Sequence, residues 1–271
     1  MDAFEPLRDL DFDCSVVVVN PVDAVATYGD PRVVYPWASV TKLVAKYAIL
    51  IARDRGLVSL YEPAGPEGST LRHLLAHASG LPFTKDTPLQ PVGRRRVYSN
   101  TGINVAAAHI EKAVGMPFAE WMREVVCRPL GMDTAELYGE PSHEMRGSAI
   151  DLAEFARAVL NGHLLSPETF VEATTPTWSH LEGVLPGYGR QDRNTWGLGF
   201  EIRDRKDPHW TGHNNSARTF GHFGWAGSFL WVDPKVHLAA VFLGSEPFGP
   251  THYAIWPDLS DRILAAYSAL D

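Results

Sequence analysis

The chain has 271 residues, 45% of them hydrophobic and 21% charged, which is a globular composition with enough length to bury a sizeable core. A formal net charge of -8 and the lack of any long basic run count against nucleic acid as a partner. No segment is apolar enough to span a bilayer, and the acidic opening MDAFEPLRDLDFDC is not a signal peptide, so a cytoplasmic location is expected.

Cys14 and Cys127 lie far apart without metal spacing and read as reduced, buried thiols. Around Cys14, CSVVVVN is a short β-branched run ending in a turn, hence a buried strand, and AVATYGD is its hairpin partner. From Ser39 the period changes. Val40, Leu43, Val44, Tyr47, Leu50 and Ile51 recur at helical spacing up to Gly56. Helical patterns then dominate: TLRHLLAHASG, NTGINVAAAHIEKAVG, MPFAEWMREVVCRPLG with proline near its first turn, and SAIDLAEFARAVLNG. The last of these sets Ser148 and Asp151 three apart, as in a capping box.

Strands return with WGLGFEIR, GHFGWAGSFLWVD and VHLAAVFLG, the last two separated by a turn at Asp233-Pro234-Lys235. An amphipathic helix from about Ile255 to Leu270 closes the chain. This order implies an α+β fold, with an antiparallel sheet flanked by helices and built from both chain ends. We read one domain, 1–271. Residues 1–60 and 195–271 would form its α/β sandwich part, and 61–194 an inserted, mostly helical lobe.

Ser39 and Lys42 stand three apart at the start of a helical pattern, so they can share a face. Two readings are open. Ser39 can be an N-cap with a solvated lysine behind it. Alternatively, Ser39 is a nucleophile at a helix N-terminus that favours negative charge, with a buried Lys42 of lowered pKa as its base. No Gly-x-Ser-x-Gly elbow competes with it. Lys46, one turn further on, reads as a plain helical lysine.

RVYSNTG places Tyr98 and Asn100 at a loop-to-helix junction. There Tyr98 could share acid and base work with Lys42, and Asn100 could orient that lysine or meet a substrate carbonyl; alone, they are equally a core tyrosine and a helix cap. FGHFGWAGS sets His222 and Gly224 on a strand before Trp225. A glycine there admits substrate to the backbone, and the amides of Ser39 and Trp225 could hold one oxyanion. His73 and His77 are four apart but lack both the glutamate of His-Glu-x-x-His and a third ligand, so no metal or other cofactor is expected. Arg94, Arg95 and Arg96 read as a solvated turn. Trp37 and Trp225 are the tryptophans placed to line a pocket.

Taken in order, Ser-x-x-Lys, Tyr-Ser-Asn and His-x-Gly resemble the serine β-lactamase and penicillin-recognising family, especially its class C-like branch with its esterases. YPWASVTK, TLRHLLAHASGLP, RPLGMDTAEL and DLAEFARAVLNG resemble further segments of that family. The resemblance implies the β-lactamase/transpeptidase-like fold. It implies Ser39 as the acylated nucleophile, Lys42 and Tyr98 as the catalytic base and acid, and Asn100, His222, Gly224 and Trp225 as substrate-binding residues. His222 stands where lactamases carry the lysine of Lys-Thr-Gly, and Phe223 replaces the threonine. A histidine near neutrality holds a carboxylate poorly, so a small neutral ester or amide is expected as substrate. A β-lactamase, a D-amino-acid peptidase or an acyltransferase with the same machinery is the alternative, and a non-catalytic ligand-binding relative is the alternative of another class. The oligomeric state is not legible.

Overall fold

A computed structural model describes residues 2–268. The β-branched run forms β1 (Cys14–Val19), and β2 (Ala24–Tyr28) folds back on it as an antiparallel hairpin. β3 (Val34–Pro36) leads into a 3₁₀ turn, Ala38–Val40, which continues directly into α1 (Thr41–Asp54). Next come α2 (Leu71–Leu75), α3 (Asn100–Val114) and α4 (Phe118–Met122), whose last turn widens into a π-helical turn, Arg123–Cys127. β4 (Glu136–Leu137), β5 (Met145–Ser148), α5 (Ala149–Leu160), α6 (Pro167–Thr174), β6 (Gly183–Leu185) and β7 (Gly189–Gln191) complete the middle of the chain. β8 (Glu201–Ile202), β9 (Phe220–Gly224), β10 (Ser228–Asp233), β11 (Leu238–Gly244) and α7 (Pro250–Tyr267) close it.

Strands from the two ends of the chain join in one six-stranded antiparallel sheet, ordered β2-β1-β11-β10-β9-β8. Alternation along β1 assigns its valines to two cores. Val17 and Val19 face the core built with α1, α3 and α5, whereas Val16 and Val18 face the core under α7. Both faces are covered, which explains a run of valines with no polar alternation. Two small sheets, β3-β5-β4 and β6-β7, lie beside the main one.

Several local readings change. GHFGWAGSFLWVD is not one strand but two, β9 and β10, joined by a turn that carries Trp225. Only Glu201 and Ile202 of WGLGFEIR pair as strand. α7 begins already at Pro250, and Leu270 lies outside the described residues. The Ser148 hydroxyl does accept from Asp151 N, but the Asp151 carboxylate binds Thr134 instead of closing a capping box. Pro117 does stand at the first turn of α4, as its N-cap. α3 ends as its sequence suggests, at Gly115 in the left-handed conformation (φ 70°), but its cap is Ser99, whose hydroxyl accepts from Gly102 N, and Asn100 is its first helical residue.

Candidate active site

Ser39 does not cap α1. It sits in the middle of the 3₁₀ turn, after Ala38, whose φ of 44° is unusual for a residue with a side chain. The turn is pinned on both sides. Trp37 N donates to Met145 O at 2.8 Å, the Trp37 indole donates to Gly147 O at 3.1 Å, and the Ser228 hydroxyl donates to Trp37 O at 2.8 Å. Trp37 is therefore a buried anchor of the turn, not a pocket wall.

α1 is buried on all sides from Thr41 to Ala52, so both of its lysines are buried too. Lys42 Nζ lies 3.2 Å from Ser39 Oγ and donates to Ser142 O at 2.8 Å. Burial pushes Lys42 well below the ordinary lysine range, toward the neutral amine that can take a proton from a hydroxyl. Its ammonium position also lies 4.7 Å from the centre of the Tyr98 ring. The carbonyl that orients Lys42 is thus that of Ser142, a residue without a motif, and not the Asn100 amide. Asn100 lines the cleft beside Ser39, and its Oδ1 is buried without a partner among the described residues.

Lys46 is not a plain helical lysine. It is fully buried, 3.2 Å from His77 Nε2 and 4.4 Å from the centre of the Trp196 ring. His77 Nδ1 accepts from Ser99 N at 3.2 Å, so the proton of a neutral imidazole must be on Nε2. That N–H can only donate to a lone pair, which makes Lys46 a neutral amine. Burial, first, and then the nearby Lys42 and Arg96 lower Lys46 well below the ordinary range, in agreement with the hydrogen-bond pattern. An apolar helix with two lysines four apart was the sequence signal for this. His73, for its part, binds back to Thr70 and stacks on Trp178, so it does not join His77.

Tyr98 lies against Ser39 and Lys42, and its phenol is 2.8 Å from His222 Nε2. Burial raises the phenol well above the ordinary tyrosine range, the Ser39 hydroxyl beside it lowers it, and Glu201 raises it further. His222 is lowered to about 4, first by burial, against the opposing pull of Glu201, so it is neutral near pH 7. Its Nδ1 lies 3.5 Å from Glu201 Oε2.

Glu201 escaped the sequence reading. It is fully buried, accepting from Lys206 Nζ at 2.8 Å, His209 Nε2 at 3.0 Å and the Trp210 indole at 2.8 Å. Burial alone would raise this carboxyl, but Lys206 and His209 hold it well below the usual carboxylate range. No spacing rule marks FEIRDRKDPHW as a buried polar cluster; it resembles a solvated loop.

Gly224 allows close approach of β9 to the nucleophile. A Cβ there would stand 2.4 Å from Trp37 O and 3.0 Å from Ser39 N. The end of β9 thus lies directly against the backbone of the Ser39 turn. The Trp225 side chain is 60% exposed and borders two clefts that meet at Ser39. One is a chamber of about 820 Å³ walled by Pro82, Phe83, Leu89, Val97, Val184 and Phe223, with Tyr98 and His222 inside it. The other, of about 700 Å³, is lined by Asn100, Asn104, Asp86, Glu140 and His143. Arg96 is buried rather than solvated and donates to the carbonyls of Ala76, Thr177, Trp178 and Asn194.

A family model described as Beta-lactamase matches residues 19–259. The chain belongs to the beta-lactamase family. A solved structure described as a beta-lactamase from Mycobacterium bovis is 45% identical, with a TM-score of 0.97 over 98% of this chain and 100% of that one. Simvastatin synthase from Aspergillus terreus shares the fold at 18% identity, with a TM-score of 0.76 over 94% of this chain and 90% of that one. The Bacillus subtilis protein named "Putative penicillin-binding protein PbpX" is 24% identical over 251 residues, covering 67% of this chain and 64% of that protein. The chain spans between about half and two thirds of the length of the curated relatives it matches first. As a beta-lactamase-family member it has the β-lactamase/transpeptidase-like fold. Among the described residues, no helix is long and apolar enough to cross a membrane.

Proposed function

We propose that this protein is a serine hydrolase that forms an acyl-enzyme at Ser39 and acts on small neutral esters or amides bearing an apolar group. The observation that carries this reading is Ser39, with Lys42 3.2 Å away and Tyr98 beside it, opening into an apolar chamber of about 820 Å³. Lys42 and Tyr98 take the Ser39 proton and return it to the leaving group. The amides of Ser39 and Trp225 hold the oxyanion, with Gly224 keeping that space open. Asn100 and Trp225 position the substrate at the mouth. A neutral His222 in place of a lysine favours an uncharged substrate over a carboxylate. Two buried cysteines, their thiols pushed up to about 12, suit a reducing, cytoplasmic setting.

A fluorophosphonate should add its mass to Ser39, and Ser39→Ala should abolish both labelling and ester turnover. Wild-type protein that neither labels nor hydrolyses any ester in a chain-length series would refute the reading and leave a non-catalytic binding relative. A second reading, acyl transfer to an acceptor, draws support from the polar cleft on the other side of Ser39. Product analysis with added alcohols and amines separates it from hydrolysis, and nitrocefin and D-amino-acid peptides test the lactamase and peptidase alternatives.

A further inference from the structure

Tyr98 poses a chemical problem. Its phenol is buried and held above its ordinary pKa, so a resting tyrosinate cannot be the base that activates Ser39. The hydrogen bonds behind it offer another route. Glu201 accepts from Lys206, His209 and Trp210, so it is an anion fixed in place by three donors. The His209 tautomer is settled by Thr211 N, which donates to His209 Nδ1 at 3.2 Å and leaves Nε2–H for Glu201. A fixed anion 3.5 Å from His222 Nδ1 favours the tautomer with the proton on Nδ1. His222 Nε2 is then a lone pair, and Tyr98 must donate its O–H to it across 2.8 Å. The Tyr98 oxygen is left free to accept from Ser39.

We propose that Glu201 is the positioning carboxylate of a buried Glu201–His222–Tyr98 chain, along which the proton leaving Ser39 displaces a second proton onto His222. The inference rests on the serine hydrolase reading. As Ser39 Oγ bonds to the acyl carbon and the carbonyl electron pair moves to the oxyanion, the Ser39 proton passes to the Tyr98 oxygen. The Tyr98 proton passes to His222 Nε2 in the same step, giving an imidazolium that faces the Glu201 carboxylate. On collapse, His222 returns its proton to Tyr98, Tyr98 protonates the leaving group, and the bond from acyl carbon to leaving group breaks. No tyrosinate forms. Of the Lys42–Tyr98 pair, Tyr98 is the member that receives the Ser39 proton on this route, and Lys42, beside both, holds Ser39 and Tyr98 in place.

The charged and titratable groups facing His222 are Tyr98 from the segment before α3, Glu201 from β8, Lys42 and Lys46 from α1, and His77 after α2. Of these, Glu201 alone favours an imidazolium. Glu201 does not line the chamber and meets the site by contact through His222, although its charge also reaches Tyr98 and raises that phenol.

The test uses the whole protein with ¹⁵N-labelled histidine. Nitrogen chemical shifts of resting His222 should show a protonated Nδ1 and a bare Nε2; a protonated Nε2 overturns the relay without any variant being made. A proton inventory of ester acylation in mixed H₂O and D₂O should be curved, reporting two protons in flight, and a linear one overturns it. In His222→Gln the amide oxygen can still accept from Tyr98 but cannot take its proton. There kcat should fall roughly 100-fold with KM within about twofold, and an unchanged kcat overturns the relay. Glu201→Gln, checked for folding by circular dichroism, should lower kcat similarly and lose the Nδ1–H preference; full activity would overturn the role of Glu201. Failure of Ser39 to label with a fluorophosphonate would remove the hydrolase reading and the relay together. Labelled Ser39 with the wrong His222 tautomer would remove the relay alone.

Discussion

Replacing Lys46 with methionine should change how stability depends on pH. In the folded protein Lys46 is an amine facing the His77 Nε2–H, whereas in the unfolded chain it binds a proton below the ordinary lysine value of 10.5. Unfolding near pH 8 therefore takes up one proton at Lys46. That proton makes unfolding free energy rise with pH by about 1.4 kcal/mol per pH unit. The contribution is present in full above pH 10.5 and is lost as pH falls through the window below it. Lys46→Met should remove that part of the slope. It also leaves the His77 Nε2–H without an acceptor, a pH-independent cost of about 1–3 kcal/mol. Urea melts of both proteins at pH 7.5, 8.0 and 8.5 read the slopes directly. Groups common to both proteins, including the two thiols, cancel in the difference. Equal slopes would mean that Lys46 is charged in the fold and would refute the tautomer argument behind it.

Gly224→Ala places a methyl group 3.0 Å from Ser39 N and should lower kcat roughly 10² to 10³-fold by closing the oxyanion space, with the loss read in steady-state ester kinetics. Trp225→Ala removes a largely exposed ring and should leave stability within about 0.5 kcal/mol while raising KM for bulky esters. His222 is buried neutral, its pKa lowered from 6.5 to about 4, so its contribution to stability is complete above pH 6.5 and is lost as pH falls toward 4. That loss amounts to about 3 kcal/mol, and His222→Gln should flatten acid denaturation by a comparable amount in urea melts at pH 7 and pH 4.5.

The parts of the fold carried by periodicity were legible. The valine run, its hairpin partner, the apolar helix after Ser39 and the Gly115 stop depend on local backbone preferences and on burial patterns within a few residues. Ser39, Lys42, Tyr98 and His222 were legible because each stands in a short motif, and the structure brings them together. The rest of the site depends on long-range partners. Nothing near Ser142 shows that its carbonyl will meet Lys42, and nothing near Arg96 shows four carbonyls converging on it. Glu201 was hidden for another reason: its donors Lys206, His209 and Trp210 follow it closely in sequence, but only burial of that charged segment sets them apart from a solvated loop. Lys46 is different. Its burial was implied by an α1 sequence with no polar face, and only an expectation that lysines are solvated obscured it.

Arg96 ties the carbonyls of Ala76, Thr177, Trp178 and Asn194 into one joint behind the apolar chamber. Segments far apart in sequence are thereby held at a fixed spacing before any substrate arrives. On that side, and at buried Phe223, a ligand meets a wall already in place, so little of its affinity is spent on ordering it. Phe83 and Leu89 close the other side from an exposed segment without helix or strand, where an incoming group can be accommodated. Substrate range in this protein should therefore end sharply for groups that grow toward Arg96 and Phe223, and taper off gradually for groups that grow toward Phe83 and Leu89.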